Sequence, residues 1–277
     1  MVSRLRAHVR RTPRRRLAIA FSLTAILAGG ALASLPAFAA STFYVNDATP
    51  DGASGPCFDA PDFSTITLAL AAATTDGDVI KVCPGTYTSD GGAITAGITI
   101  EGVNADGTNT SVLSSGVSLL DGQFTIGVAK TIVIRNLTIG GTSSAPGSTG
   151  ACQAIRHTDP GSMLQTTLEL TNLAFPYNEC TGGLAFGGAA IFSSGALDLS
   201  ITDSSFLGNA VLDTPGGAIQ VTDPAGVAIE GSTFTENIGR VTNLDAGFAV
   251  GGALAVLSDV ASGPFPVSIS NTDFTDN

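Results

Sequence analysis

From Ile98 onward the apolar positions of this chain obey one frame. Two apolar residues flank a single neighbour, and a third follows five positions later: Ile132/Ile134/Ile139, Leu168/Leu170/Phe175, Leu199/Ile201/Phe206, Val227/Ile229/Phe234 and Val267/Ile269/Phe274. Ile98/Ile100 opens a further copy whose third member is missing. An apolar pair with one intervening residue is the period-two signature of a strand with one buried face. Two positions after each pair stands Gly102, Asn136, Asn172, Asp203, Gly231 or Asn271. All six belong to the small set that tolerates positive φ, so a left-handed corner is expected there. The third apolar residue lies beyond the corner and faces the same core.

The third member is Phe in four copies, each opening a Phe-x-x-Asn motif: Phe175–Asn178, Phe206–Asn209, Phe234–Asn237 and Phe274–Asn277. Three of these follow a glycine-rich run: Gly187-Gly188-Ala189, Gly216-Gly217-Ala218-Ile219 and Gly251-Gly252-Ala253-Leu254. Gly91-Gly92-Ala93-Ile94 reads as a chance match. A repeat of roughly 28 to 40 residues is one supersecondary unit of a solenoid. Strand, corner, strand and return, once per repeat, describe an all-β parallel β-helix, a single-stranded solenoid with coils about 4.8 Å apart. The Phe column fills its interior, and the Asn residues at the corners and after each Phe are placed to form amide ladders. On this reading Phe-x-x-Asn is structural.

Residues ahead of the repeats read as a cap. Ser41–Asn46 alternates like a short strand. Ser64 to Ala73 has helical spacing, with Ile66, Ala69, Leu70 and Ala73 on one face and Asp62 or Ser64 as N-cap. Val79-Ile80-Lys81-Val82 is a strand and Pro84-Gly85-Thr86-Tyr87 a turn. A helix here would cover the first coil's core and strand edges. The expected layout is a signal segment over 1–40, cap and first coil over 41–97, and repeats over 98–277.

The signal segment changes the charge picture. Residues 1–16 carry seven arginines and no acid, an apolar run follows, and Pro36-Ala37-Phe38-Ala39-Ala40 supplies a small-residue cleavage pattern. This predicts export, with no transmembrane segment after cleavage. Residues 41–277 then hold five Lys and Arg against 23 Asp and Glu, a net charge near −18. Such a surface repels phosphate backbones, which excludes nucleic acid as a partner. Carboxylates are the ligands Ca²⁺ takes, but no Asp-rich loop has ligand spacing, so no cofactor is expected. Cys57, Cys83, Cys152 and Cys180 are an even set in an exported chain, which implies disulfides. Of three connectivities, pairing of sequence neighbours gives Cys57–Cys83 and Cys152–Cys180.

The run Ser64–Tyr87, with Ser-Thr-Ile, an Ala-rich helix, Gly-Asp-x-Ile-x-Val and Pro-Gly-x-Tyr, resembles the N-terminal segment of pectin-lyase-like right-handed β-helix proteins. The paired Gly-Gly-Ala-Ile and Phe-x-x-Asn motifs resemble the repeats of polymorphic outer membrane proteins. The resemblance covers most of 41–277. It implies a right-handed β-helix on a cell surface or in the medium, with an adhesive or structural role and an extracellular glycan or surface protein as partner.

An enzyme of this fold is the alternative, either a polysaccharide lyase or a glycoside hydrolase. A lyase needs an Arg or Lys base beside carboxylate-held Ca²⁺, and a hydrolase needs clustered Asp pairs. The chain has no Asp-Asp pair. Outward candidates are Arg135, Glu169, Asp198 and Glu230; Arg156, His157 and Asp159 fall in a longer connection. His157 also aligns with Val221 and Val256, which suits a structural residue. There is no Trp, leaving Tyr44, Tyr87 and Tyr177 as sugar-stacking candidates. The outward row Arg135, Thr171, Thr202, Glu230 and Ser270 is too irregular and charged for an ice-templating face. The sequence given ends on a complete motif at Asn277 without a terminal cap, and a longer natural protein is expected.

Overall fold

The computed structural model describes residues 39–46, 56–59, 61–88, 90–103, 118–120, 124–140, 143–144, 153–159, 165–180, 187–212, 214–240, 251–258 and 264–277. The signal segment and Cys152 lie outside them, apart from the last two signal residues.

The alternating pairs form strands for the expected reason. Thr131–Arg135, Thr166–Thr171, Leu197–Thr202, Gly226–Glu230 and Val267–Ser270 lie side by side, all parallel. Their apolar members are in register, so Ile132, Leu168, Leu199, Val227 and Val267 make one column. Ile134, Leu170, Ile201, Ile229 and Ile269 make the next. Upstream, Thr42–Val45, Val79–Val82 and Thr99–Gly102 complete an eight-stranded sheet. Seven-, six- and four-stranded sheets are built the same way, taking in successive strands from successive repeats. The chain is thus all-β with stacked parallel sheets, a topology compatible with a β-helix. These residues belong to one compact unit, Phe38–Asn277.

The third apolar column runs through the seven-stranded sheet as Tyr87, Leu119, Ile139, Phe175, Phe206, Phe234 and Phe274. Leu119 stands in register between Tyr87 and Ile139, at the position the Ile98/Ile100 copy lacks at the usual spacing. Tyr87 lies in the strand Thr86–Thr88, not in a turn. The four Phe rings form a stack with centroids 4.8, 4.5 and 4.8 Å apart and planes within 10° of parallel. The first three rings are buried and Phe274 is 46% exposed.

The corners separate two uses of small residues. Asn136, Asn172, Asp203, Gly231 and Asn271 are left-handed, with φ between 50° and 61°. Gly102 is not among the positive-φ glycines. It is small because a Cβ there would sit 2.0 Å from the Asn136 carbonyl oxygen. Gly102→Ala should therefore destabilise the fold by about 2–3 kcal/mol through overpacking. Gly231→Asn keeps the left-handed turn, and its Cβ would stand 2.5 Å from Asp203 Oδ1, a side-chain end that can swing aside where the Asn136 carbonyl cannot, so it should cost under about 1 kcal/mol. Comparing the two denaturation midpoints tests this. The glycine-rich run is also offset by one. Gly188-Ala189-Ala190-Ile191, not Gly187-Gly188-Ala189, aligns with Gly216-Gly217-Ala218-Ile219. Ile94 aligns with Val221 through Ile126, His157 and Ser193, leaving Gly91-Gly92-Ala93-Ile94 two residues out of frame.

The helix Ile66–Ala72 closes the core at the N-terminal side by burying Ile66, Ala69 and Leu70, with Ala73 beneath its end. Its N-cap is Thr65, whose side chain accepts from the Leu68 N–H. Asp62 instead accepts from the Tyr44 N–H. The remaining helix donors are met from a distance: buried Asp90 accepts from the Ile66 and Thr67 N–H groups at 2.5 and 2.8 Å. Cys57 and Cys83 are disulfide-bonded. Cys180 is also disulfide-bonded and buried.

Candidate functional site

The side chains that define the repeat are spent inside. Asn178, Asn209 and Asn237 are fully buried. Each Nδ2 donates to the Oδ1 of the next Asn, ending on Asn277, at 2.9, 2.9 and 2.8 Å. Each also donates to a main-chain carbonyl of the preceding repeat: Ile139, Phe175, Phe206 and, from Asn277, Phe234. Each receiving Oδ1 accepts a backbone N–H as well. At the corners one amide link forms, from Asn172 Nδ2 to Asn136 Oδ1 at 2.9 Å. A hydroxyl ladder that the sequence pattern does not announce runs beside it. Ser204, Ser232 and Thr272 accept the N–H of Leu173, Ser204 and Ser232, and donate to Thr202, Glu230 and Ser270 carbonyls.

The outer face of the eight-stranded sheet carries the expected charged candidates on three rows, one of them shared by Arg135 and Glu230. Lys81, Glu101, Arg135, Thr171, Thr202, Glu230 and Ser270 form one row. Glu169 lies in the next row, opposite Val133 and Ser200, and Asp198 in a third, opposite Thr167 and Gly226. Rows on one face are about 7 Å apart, so Glu169, Asp198 and Glu230 do not converge. Arg135 is engaged: its Nε donates to Glu101 Oε2 at 2.7 Å, and its Nη2 contacts the same oxygen. Lys81 flanks Glu101 at 3.8 Å and lies over the Tyr44 ring. Arg135 is thus committed to an ion pair on the sheet face.

Where the strands of this sheet begin, Asp76, Gly97, Ala129, Lys130, Thr131, Gln165 and Thr167 line a cleft of about 410 Å³. Lys130 Nζ donates to Asp76 Oδ2 at 2.6 Å and the Gly97 N–H to Oδ1 at 2.9 Å. These bonds hold the exposed Asp76 carboxyl below its ordinary value.

His157 is buried on an inward row of the six-stranded sheet, with Ile126 and Ser193 as neighbours. Its Nε2 is 3.1 Å from Thr166 Oγ1, and Nδ1 is 2.9 Å from Ser193 Oγ. The Thr166 hydroxyl donates to the Val128 carbonyl at 2.7 Å. Thr166 must therefore accept from Nε2–H, and Nδ1 accepts from Ser193. Burial pushes the imidazole below 6.5, with Asp159 acting weakly in the opposite sense. The unfolded chain thus binds the proton first. This contribution to stability is complete above about pH 6.5 and falls as the pH drops towards the folded value. His157→Val, which copies Val221 and Val256 in the same row, removes the titrating group. Relative to that variant, the native chain should lose up to about 1.4 kcal/mol per pH unit below 6.5. Parallel stability–pH curves for the two proteins would refute the assignment. Arg156 points outward over the Phe192 ring, 6.0 Å from its centroid.

Of the three tyrosines, Tyr87 is buried and its hydroxyl donates within 2.9 Å of the Val45 and Cys83 carbonyls. Tyr44 is half-buried beneath Lys81. Tyr177 is 62% exposed.

Among the described residues no group of three or more His, Cys, Asp or Glu is placed to hold a metal ion. Among them, too, no helix is long and apolar enough to cross a membrane. No protein-family model, curated protein or solved structure matches this chain.

Proposed function

We propose that this chain is an exported right-handed parallel β-helix of the pectin-lyase-like kind, with repeats like those of polymorphic outer membrane proteins, and that its role on the cell surface or in the medium is adhesive or structural, without catalysis. Right-handedness follows the general rule for crossovers between parallel strands of one sheet. The observation that carries the functional reading is where the repeat's chemistry goes. Phe and Asn side chains are consumed by the core, while outside it Glu169 and Asp198 lie on rows of their own, Thr171 and Thr202 separate Arg135 from Glu230, and Arg135 is bound to Glu101. Such a stack builds extended surface cheaply and leaves each rung's exterior to vary.

The test incubates residues 41–277 with uronate-containing and neutral polysaccharides, with and without Ca²⁺. New reducing ends and unsaturated ends are scored, and retention on glycan- and matrix-coated surfaces is measured in parallel. Retention without turnover is the expected result. Unsaturated ends that require Ca²⁺ would overturn the reading in favour of a lyase.

A further inference from the structure

Tyr177 is the described side chain least explained by the core. It occupies the second variable position of Phe-x-x-Asn, and that position is left-handed in every repeat: Tyr177, Gly208, Glu236 and Asp276 have φ of 51°, 62°, 55° and 54°. Gly208 and Asp276 suit this region and the longer Glu236 is less common there, whereas a bulky aromatic residue is an outlier. The strain is not repaid by burial, since the ring is 62% exposed. Backbone strain combined with an exposed ring points to a role outside the core.

The neighbouring rungs make room for it. A Cβ on Gly208 would fall 2.6 and 2.7 Å from Tyr177 Cδ1 and Cε1, so one edge of the ring rests on bare glycine backbone. Pro176 sits against Gly140 in the same way, 2.5 Å from where a Cβ would stand. On the adjoining four-stranded sheet, Glu179, Ala210 and Ile238 are in register, and Ile238 is 41% exposed. Glu236 stands two rungs along the Tyr177 corner, about 10 Å away. Glu179, two residues on from Tyr177, and Glu236, two rungs along, are both exposed, on the same side of the stack as the ring and Ile238.

We infer that this corner is a sugar-binding subsite in which an uncharged pyranose ring stacks on Tyr177 while Glu179 and Glu236 accept its hydroxyl protons. The apolar C–H face of a sugar matches an aromatic face, and carboxylates are strong acceptors for the equatorial hydroxyls. A uronate is disfavoured by the two carboxylates and by the net charge near −18 of residues 41–277, five bases against 23 acids. This deepens the adhesive reading and rests on it.

The chain has no Trp and three Tyr, of which Tyr87 is buried and Tyr44 half-buried, so acrylamide quenching of tyrosine emission weights Tyr177 most heavily and Tyr177→Gly supplies the baseline. The experiment titrates residues 41–277 with soluble neutral β-glucan, mannan and xylan, and with polygalacturonate, following emission, quenching and affinity electrophoresis. One neutral glycan is expected to shield Tyr177 and retard the protein, with polygalacturonate inert. Tyr177→Gly, which copies the residue at the same position one rung on, should weaken retardation at least tenfold and keep the unfolding midpoint or raise it. Tyr177→Phe should retain most of the binding. If neutral glycan binds equally well to Tyr177→Gly, the subsite is refuted and adhesion stands. If the protein adheres to matrix or cell surfaces but to none of these glycans, the subsite is again refuted alone. Failure to adhere to any surface overturns both.

Discussion

Phe206→Ala is expected to lower the unfolding free energy by about 4–5 kcal/mol. The ring is sandwiched between Phe175 and Phe234, with centroids 4.8 and 4.5 Å away, and is 1% exposed. Truncation removes its transfer free energy and both ring contacts, and leaves a void that parallel rungs on either side cannot collapse into. Phe274→Ala is the internal control. It removes a ring that touches one neighbour and is 46% exposed, so less than half the loss is expected. Urea unfolding of the two variants decides the matter, and equal losses would mean that the stack is not what stabilises the column.

Asn209→Ala should cost about 3–5 kcal/mol, although it deletes only an amide. Asn209 Nδ2 donates to Phe175 O and Asn237 Oδ1, and its Oδ1 accepts from Asn178 N and Nδ2. All of these partners lie in the interior, where each unmet donor or acceptor costs roughly 1–3 kcal/mol. Asn209→Asp should be at least as damaging, because both donors vanish and a carboxylate oxygen then faces the Phe175 carbonyl and the Asn237 amide oxygen. Asn136→Gly keeps the left-handed corner and removes one half-buried amide link, so its cost should stay near about 1 kcal/mol. Midpoints for Asn209→Ala and Asn136→Gly that fall together would show that the inner ladder is merely decorative.

Much of the core can be read directly from spacing, because inward columns repeat the same residue class on every rung. Ile132/Ile134/Ile139 and its successors fall in register as their period implies. Corner chemistry is legible at five of six positions. Gly102 escapes because close approach and positive φ select the same residue, and only the Asn136 carbonyl tells them apart. The second left-handed row is hidden by its variety, since Tyr177, Gly208, Glu236 and Asp276 share a backbone angle and no side-chain character. Thr65 is obscured as N-cap because Asp62 and Ser64 are equally good residues close by, and the long-range help of Asp90 leaves no local trace. The exterior is least legible. Whether Arg135 meets a carboxylate depends on which residue stands opposite on the next rung, and Glu101 is 34 residues distant in the chain.

The amide ladder also has a direction. Each Asn passes its proton forward to the following rung and backward only to a main-chain carbonyl, so all three links point the same way. A column of phenyl rings accepts a neighbour in either sense and tolerates a slip. The ladder does not: a rung shifted by one residue would carry its Asn out of the column and leave the amides on either side unmet in the driest part of the protein. Oily stacking therefore supplies cohesion, and the polar thread beside it selects one register among the many that cohesion alone would allow.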